Sequence, residues 1–364
     1  MMSETNKARV IAFYLPQFHP IPENDEWWMK GFTEWTNVGK ARPLFSGHYQ
    51  PKVPADLGYY DLRVPETRKA QADMARAYGI EGFCYWHYWF GNGKRLLERP
   101  FNEVLASGEP DFPFCLAWAN ESWKGFYHGI KGKESLITQL YPGKEDYTAH
   151  FYEVLPAFKD HRYITVDGKP LFMVYQPFDH PEMREFIELW RELAVQNGLQ
   201  GIYFVGQTHH IGTERERIEA MGFDAINVVR LFDFERKARR AYKYAKWKHK
   251  WFHYPIVMEY RKVAPFFVGN EEYEERIIPT IFPNWDHSPR SRNRALVLNH
   301  AEPAYFEEHM QQVMEHIGNK PSEHRLAFVK SWNEWAEGNY LEPDLRYGTQ
   351  YLEVIKKNVM QNPE

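Results

Sequence analysis

Eight short apolar runs punctuate this chain, and nearly all of them are separated by segments long enough to be helices. The runs are Val10–Tyr14, Gly82–Tyr88, Phe112–Trp118, Leu171–Tyr175, Tyr203–Gly206, Phe223–Asn227, Ile278–Phe282 and Leu326–Ser331. Each has the length and residue types of a buried strand rather than a buried helix. The intervening helices carry their own punctuation. Pro65 opens one in its first turn and Gly79 stops it, and Pro303 opens another that runs to Ile317. Between Pro181 and Gln196, the residues Phe186, Ile187, Trp190, Leu193 and Ala194 form one apolar stripe. Asp167-Gly168 marks a hairpin turn leading into the fourth strand.

Alternation of this kind builds a parallel sheet with crossover helices. Eight units favour an α/β fold of the closed (β/α)8 TIM-barrel type over an open doubly wound sheet. The first strand is not followed by Gly-x-Gly-x-x-Gly, which argues against a dinucleotide site. The 364 residues suit a single barrel domain spanning 1–364, with long strand-to-helix loops at 15–62 and 119–143. Residues 125–142 read as loop, with a short strand at Leu136-Ile137.

In a barrel the C-terminal ends of the strands share one face, and chemistry gathers there. Those ends, with Trp35 from the first long loop, bring together Tyr14, Gln17, Trp86, His87, Trp118, Asn120, Glu121, Trp123, Tyr175, Gln207, Asn284 and Trp285. The last strand ends in Trp332-Asn333-Glu334-Trp335-Ala336-Glu337-Gly338. Glu334 and Glu337 are three residues apart, so one helical turn would set both carboxyls on the same side. Paired carboxylates walled by indoles suit sugar chemistry: one carboxyl stays protonated, the other charged, and the rings stack on sugar faces. The chain is 17% aromatic, more than a core requires, and a polyol ligand with flat apolar faces accounts for the surplus.

Other chemistries lack their signatures. His19, His87, His209, His210 and His287 show no His-x-His or His-Glu-x-x-His spacing, so no metal and no cofactor is expected. There is no Gly-x-Ser-x-Gly and no Gly-rich phosphate loop. A net charge of −4 gives no argument for nucleic acid. Cys84 and Cys115 fall inside strands and read as buried thiols rather than a disulfide framework. No apolar stretch is long enough to span a membrane, the opening residues are polar, and a cytoplasmic location is the expectation. Nothing in the sequence speaks to oligomeric state. Between Glu235 and Tyr254 the chain is strongly basic; such a run is ordinarily a solvated helix face, with a phosphate or anionic-lipid contact as the sharper alternative.

Several motifs together resemble a known family: Phe13-Tyr14-Leu15-Pro16-Gln17-Phe18-His19, Gly31-Phe32-Thr33-Glu34-Trp35, Gly82-Phe83-Cys84-Tyr85-Trp86-His87-Tyr88, Trp118-Ala119-Asn120-Glu121 and the Trp332–Gly338 run. They look like the WbsX-type proteins, which carry a glycosyltransferase label from lipopolysaccharide biosynthesis. Those proteins are in turn similar to glycoside hydrolase family 99, the endo-α-mannosidases and endo-α-mannanases. The resemblance implies a retaining hydrolase acting on an α-linked oligo- or polysaccharide through a 1,2-anhydro sugar. Glu334 would be the base toward the 2-hydroxyl. Glu337 would protonate the leaving oxygen and then help water open the epoxide. The other route to retention sets a carboxylate nucleophile about 5–5.5 Å from its acid. Ala336 stands where the mannosidases carry histidine, which leaves the sugar open. The alternative implied by the label is a glycosyltransferase of surface-polysaccharide assembly.

Overall fold

The structure, a computed structural model, describes residues 6–124 and 135–361. Eight strands form a closed parallel ring: β1 (Arg9–Tyr14), β2 (Gly82–His87), β3 (Phe114–Trp118), β4 (Lys169–Val174), β5 (Tyr203–Thr208), β6 (Ala225–Val228), β7 (Ile277–Ile281) and β8 (Leu326–Val329). Each pairs in parallel with the next, β3 pairs with β4, and β8 pairs with β1, which closes the barrel. The expected (β/α)8 plan is the one observed. All six residues of β1 and of β2 are buried, as strands sandwiched between barrel interior and outer helices must be.

The side-chain alternation of a strand decides what reaches the interior. Phe13 points inward and stacks on Trp86 at 4.6 Å and on Phe328 at 5.3 Å. Its neighbour Tyr14 points outward, where its hydroxyl donates to Gln71 Oε1 on the helix Pro65–Ala77. Deeper in the barrel, Gln207 Nε2 donates to Asn227 Oδ1, and Asn227 Nδ2 donates to Thr280 Oγ1. This polar layer links β5, β6 and β7. Cys84 and Cys115 are buried free thiols facing each other in register across β2 and β3.

The loop after β1 holds two short helices, Pro22–Trp27 and Glu34–Gly39, where the sequence showed no regular period. The helix after β2 begins at Arg99, five residues later than expected, because Phe90 and Lys94 are occupied in a backbone turn. Trp123 and Ile137 form an isolated antiparallel bridge, in line with the short strand expected at Leu136-Ile137; the loop read over residues 125–142 otherwise lies partly outside the described residues.

Between β6 and β7 the chain makes an excursion the periodicity did not reveal. It runs through the basic helix Arg239–Phe252 into a strand, Ile256–Glu259, which pairs in parallel with Leu296–Asn299 from beyond β7. This small sheet has its own core, in which Phe234, Met258, Tyr260, Phe267 and Leu298 pack with Phe282 and Trp285. Trp285 is thereby fixed from behind while its other side is left for the barrel mouth.

Candidate active site

The end of β8 is tied to the end of β1. Trp332 N–H donates to Phe13 O at 2.7 Å, Leu15 N–H donates to Asn333 Oδ1 at 2.7 Å, and Asn333 Nδ2 donates back to Leu15 O at 3.1 Å. The chain then doubles back. Asn333-Glu334 pairs antiparallel with Asn339-Tyr340, the link is a single 3-10 turn at Trp335–Glu337, and Gly338 takes φ +68°. The turn is tighter than the α-helical turn expected from the spacing. It buries Trp335 against Tyr340 at 3.8 Å, with Trp335 Nε1 donating to Glu342 Oε2 at 2.6 Å. Glu334 and Glu337 are left facing one cavity.

That cavity measures about 500 Å³ and lies at the barrel mouth, a size suited to a small ligand or a few sugar rings. Gln17, Trp86, Glu121, Trp123, Tyr175, Trp285, Glu334 and Glu337 line it, together with Tyr88, His209, His287, Arg290 and Lys330. Leu231 and Phe232 from the excursion complete one wall.

Arg290, on a one-turn helix after β7, organises the carboxylates. Its Nη1 contacts Glu337 Oε1 directly and stands 3.7 Å from Glu334 Oε1, while Nε donates to Glu34 Oε2 at 3.2 Å. Burial opposes the guanidinium's charge, but Glu34, Glu337 and Glu334 together raise its pKa. Glu334 accepts from Ser331 Oγ at 3.0 Å, and its pKa is raised to about 7, by burial first and by the charge of Glu337 second. Burial also works to raise Glu337, but Arg290, His287 and Lys330 outweigh it and hold that carboxyl below its ordinary value. The surroundings therefore favour a proton on Glu334 and an ionised Glu337, so that below about pH 7 the pair tends to hold a single proton.

Two further groups shape the charge. His287, with Nε2 at 3.6 Å from Glu337 Oε1, has its pKa lowered by burial, against the opposing pull of Glu337. Lys330 lies within 6.0 Å of the ring centres of Trp86, Tyr175 and Trp285, and among the described residues it has no carboxylate within ion-pair distance. Across the cavity Glu121, exposed at the mouth, has its pKa raised by its desolvating surroundings, against the pull of Lys330.

The remaining expected residues lie behind the wall. Tyr14 and Trp118 face the outer helices; Trp118 Nε1 donates to Trp89 O, and its ring packs on Phe186. His87 Nε2 meets His150 Nε2 at 2.8 Å, also outside the ring. Asn120 is fully buried and ties Gln176 to Tyr141. Gln207 belongs to the polar layer below the cavity, and Asn284 Oδ1 accepts the N–H of its neighbour Trp285. Trp332 packs on Phe83, and Asn333 clamps Leu15. Trp35 Nε1 donates to Tyr60 O, with its ring against Trp335. These residues position the cavity wall and do not line it.

Arg290 and Lys330 are the main residues that reading the sequence for sites missed. Lys330 had a visible signal, a lysine closing an otherwise apolar strand. Arg290 had none, because its role depends on where the loop after β7 folds.

The model of the family described as glycosyltransferase WbsX matches residues 10–355. The uncharacterized protein WxcX of Xanthomonas campestris pv. campestris is 36% identical in strain B100 and 37% identical in strain ATCC 33913 over 378 aligned residues. All of this chain is covered but only 51% of that protein, so the chain spans about half the length of the curated relatives it matches. Among solved structures, the family 99 endo-α-mannosidase of Bacteroides thetaiotaomicron superposes with TM-scores of 0.59 with bis-tris-propane and 0.58 without. Identity is 15%, over 96% of this chain and 95–96% of that one. A glycoside hydrolase-like protein matches at TM-score 0.59 and 14% identity, over 100% of this chain and 96% of its own. At such identities the likeness is one of fold. The chain belongs to the glycosyltransferase WbsX family.

Proposed function

We propose that this protein is a glycoside hydrolase acting on an α-linked sugar of an oligo- or polysaccharide, with retention and through a 1,2-anhydro sugar. The observation that carries the proposal is the electrostatic split within the Glu334–Glu337 pair, set in a cavity with Trp86, Trp123 and Trp285 on its walls. A pair holding one proton can work as acid and base at once.

The roles are those that the resemblance to the family 99 enzymes implies. In the first half-reaction ionised Glu334 takes the proton of the 2-hydroxyl, the 2-oxygen attacks C1, and protonated Glu337 gives its proton to the departing oxygen. In the second, Glu337 takes a proton from water as the water opens the epoxide at C1, and Glu334 returns its proton to the 2-oxygen. The proton favoured on Glu334, with Glu337 ionised, matches the arrangement that the second half requires. Entry to the first half needs that one proton to pass from Glu334 to Glu337. Arg290 and Lys330 supply the positive field that keeps a single proton, rather than two, on the pair. A cytoplasmic location is part of this reading.

The family description favours a second reading, a glycosyltransferase of surface-polysaccharide assembly. Incubation with a panel of α-linked glycans and, separately, with nucleotide sugars and acceptors decides between the two. Release of reducing sugar from a glycan supports the hydrolase. Consumption of a nucleotide sugar without hydrolysis overturns it.

A further inference from the structure

The basic helix Arg239–Phe252 is turned the wrong way for an ordinary surface helix. Only Ala245 is buried on it, while Tyr244 is 62% exposed, Trp247 49%, Trp251 64% and Phe252 65%. Tyr244, Trp247 and Trp251 recur at helical spacing, so three aromatic rings share one outward stripe. The rings pack on one another rather than on the body, Tyr244 with Trp247 at 5.9 Å and Trp247 with Phe252 at 5.5 Å. A patch of this sort on a monomer marks a contact with something else.

The charges say what that partner is. Eight cations lie between Arg236 and Lys250, and among the described residues only Lys237 has a carboxylate within 4.0 Å, Asp233 at 3.7 Å. Lys243 and Lys250 flank Trp247 on the outward side. At the helix's flank, Lys237, Arg239, Arg240, Lys248 and Lys262 line a recess of about 890 Å³ with one acid, Glu259, among them. A second copy of the chain is a poor occupant, because a two-fold contact would set this cationic face against itself. Exposed indoles interleaved with lysines on a single convex helix are instead the composition that lies in the headgroup region of an anionic bilayer.

We infer that the helix Arg239–Phe252 is an interfacial docking element for the surface of an anionic phospholipid membrane. It inserts Trp247, Trp251 and Phe252 among the headgroups and seats lipid phosphates on the flanking cations. No helix among the described residues is long and apolar enough to cross a membrane, so this contact is peripheral. The excursion that carries the helix also supplies Leu231 and Phe232 to the wall of the catalytic cavity. Docking therefore places a membrane beside the barrel mouth. The inference does not depend on whether the enzyme is a hydrolase or a transferase.

Co-sedimentation of the full chain with phosphatidylethanolamine vesicles holding about 30% phosphatidylglycerol, against neutral phosphatidylcholine vesicles, tests it. The expected result is partition at least ~10-fold stronger onto the anionic vesicles, lost when salt is raised severalfold. Trp247→Ala/Trp251→Ala and, separately, Lys243→Glu/Lys250→Glu each lower that partition ~10-fold. All four side chains are exposed, so the far-ultraviolet spectrum and thermal midpoint stay unchanged, as does turnover of a soluble substrate. Equal partition of wild type and both variants overturns the inference. So does binding of a duplex oligonucleotide with no partition onto vesicles, or a dimer in solution that the tryptophan variant dissociates.

Discussion

Asp286 N–H donates to the carbonyl of Glu337 at 2.7 Å, so the loop after β7 holds the backbone of the turn after β8. The carboxylate of Asp286 is itself anchored, accepting from His48 Nε2 at 2.9 Å and Gln50 Nε2 at 2.7 Å. The first long loop, the loop after β7 and the turn after β8 therefore meet at one residue. Gly338 closes this junction: a Cβ there would sit 2.7 Å from Asp286 N and 2.8 Å from Asp286 Cβ, on a backbone at φ +68°. Gly338→Ala is expected to cost roughly 2 kcal/mol or more in stability, from left-handed strain and the collision with backbone. It should also lower kcat roughly a hundredfold as Glu337 is displaced. Urea unfolding and steady-state assays check both.

Arg290 is predicted to matter through charge and shape together. Arg290→Met leaves Glu337 buried without its main counter-charge, so the pKa of Glu337 rises. The acid limb of the rate profile then moves to higher pH, and kcat falls by about 10²–10³. Arg290→Lys restores the charge but cannot reach Glu34 and Glu337 at once, and recovers only part of the loss. A pH–rate series on the three proteins separates this from simple misfolding.

The pair's single proton sets the pH dependence. Glu334 releases it near 7, so kcat/KM should fall above about pH 7, where no acid remains. On the low side, Glu337 takes up a second proton only below its ordinary value, so the acid limb lies in the more acidic range. These are macroscopic values of the pair. A profile flat to pH 9 would be incompatible with a shared proton.

Behind the turn, Glu342 accepts from Tyr60 Oη at 2.8 Å, Gln71 Nε2 at 2.6 Å and Trp335 Nε1 at 2.6 Å. Glu342→Ala strands three buried donors and is expected to cost about 3 kcal/mol or more near pH 5. Burial raises the Glu342 pKa to about 7. A carboxyl raised in this way stabilises fully below its unfolded value of 4.5 and loses that contribution as pH rises through about 7. The penalty of the deletion should therefore shrink between pH 5 and pH 8. Denaturation at the two pH values measures it.

The barrel was legible because its strands are short, apolar and separated by segments long enough to be helices. The two acids were legible because they follow the last strand directly. What could not be read was the alternation at each strand end. His87 and Trp86 are adjacent in the sequence, yet Trp86 meets the cavity and His87 meets His150 outside the ring. A one-residue step reverses the face, and composition carries no record of that phase. The strand Ile256–Glu259 was missed for a different reason. It is four residues long, only Met258 is buried in it, and its partner Leu296–Asn299 lies on the far side of β7. Arg290 became visible only once that sheet and the turn after β8 had been placed.

The most direct test of the central claim follows sugar release from an α-linked oligosaccharide that the wild-type protein cleaves, using Glu334→Gln and Glu337→Gln. Both substitutions keep shape and remove the titrating carboxyl. Each is expected to lower kcat at least ~10³-fold with little change in thermal midpoint, because neither half-reaction runs with one member of the pair missing. Wild-type rates in both variants would contradict the account.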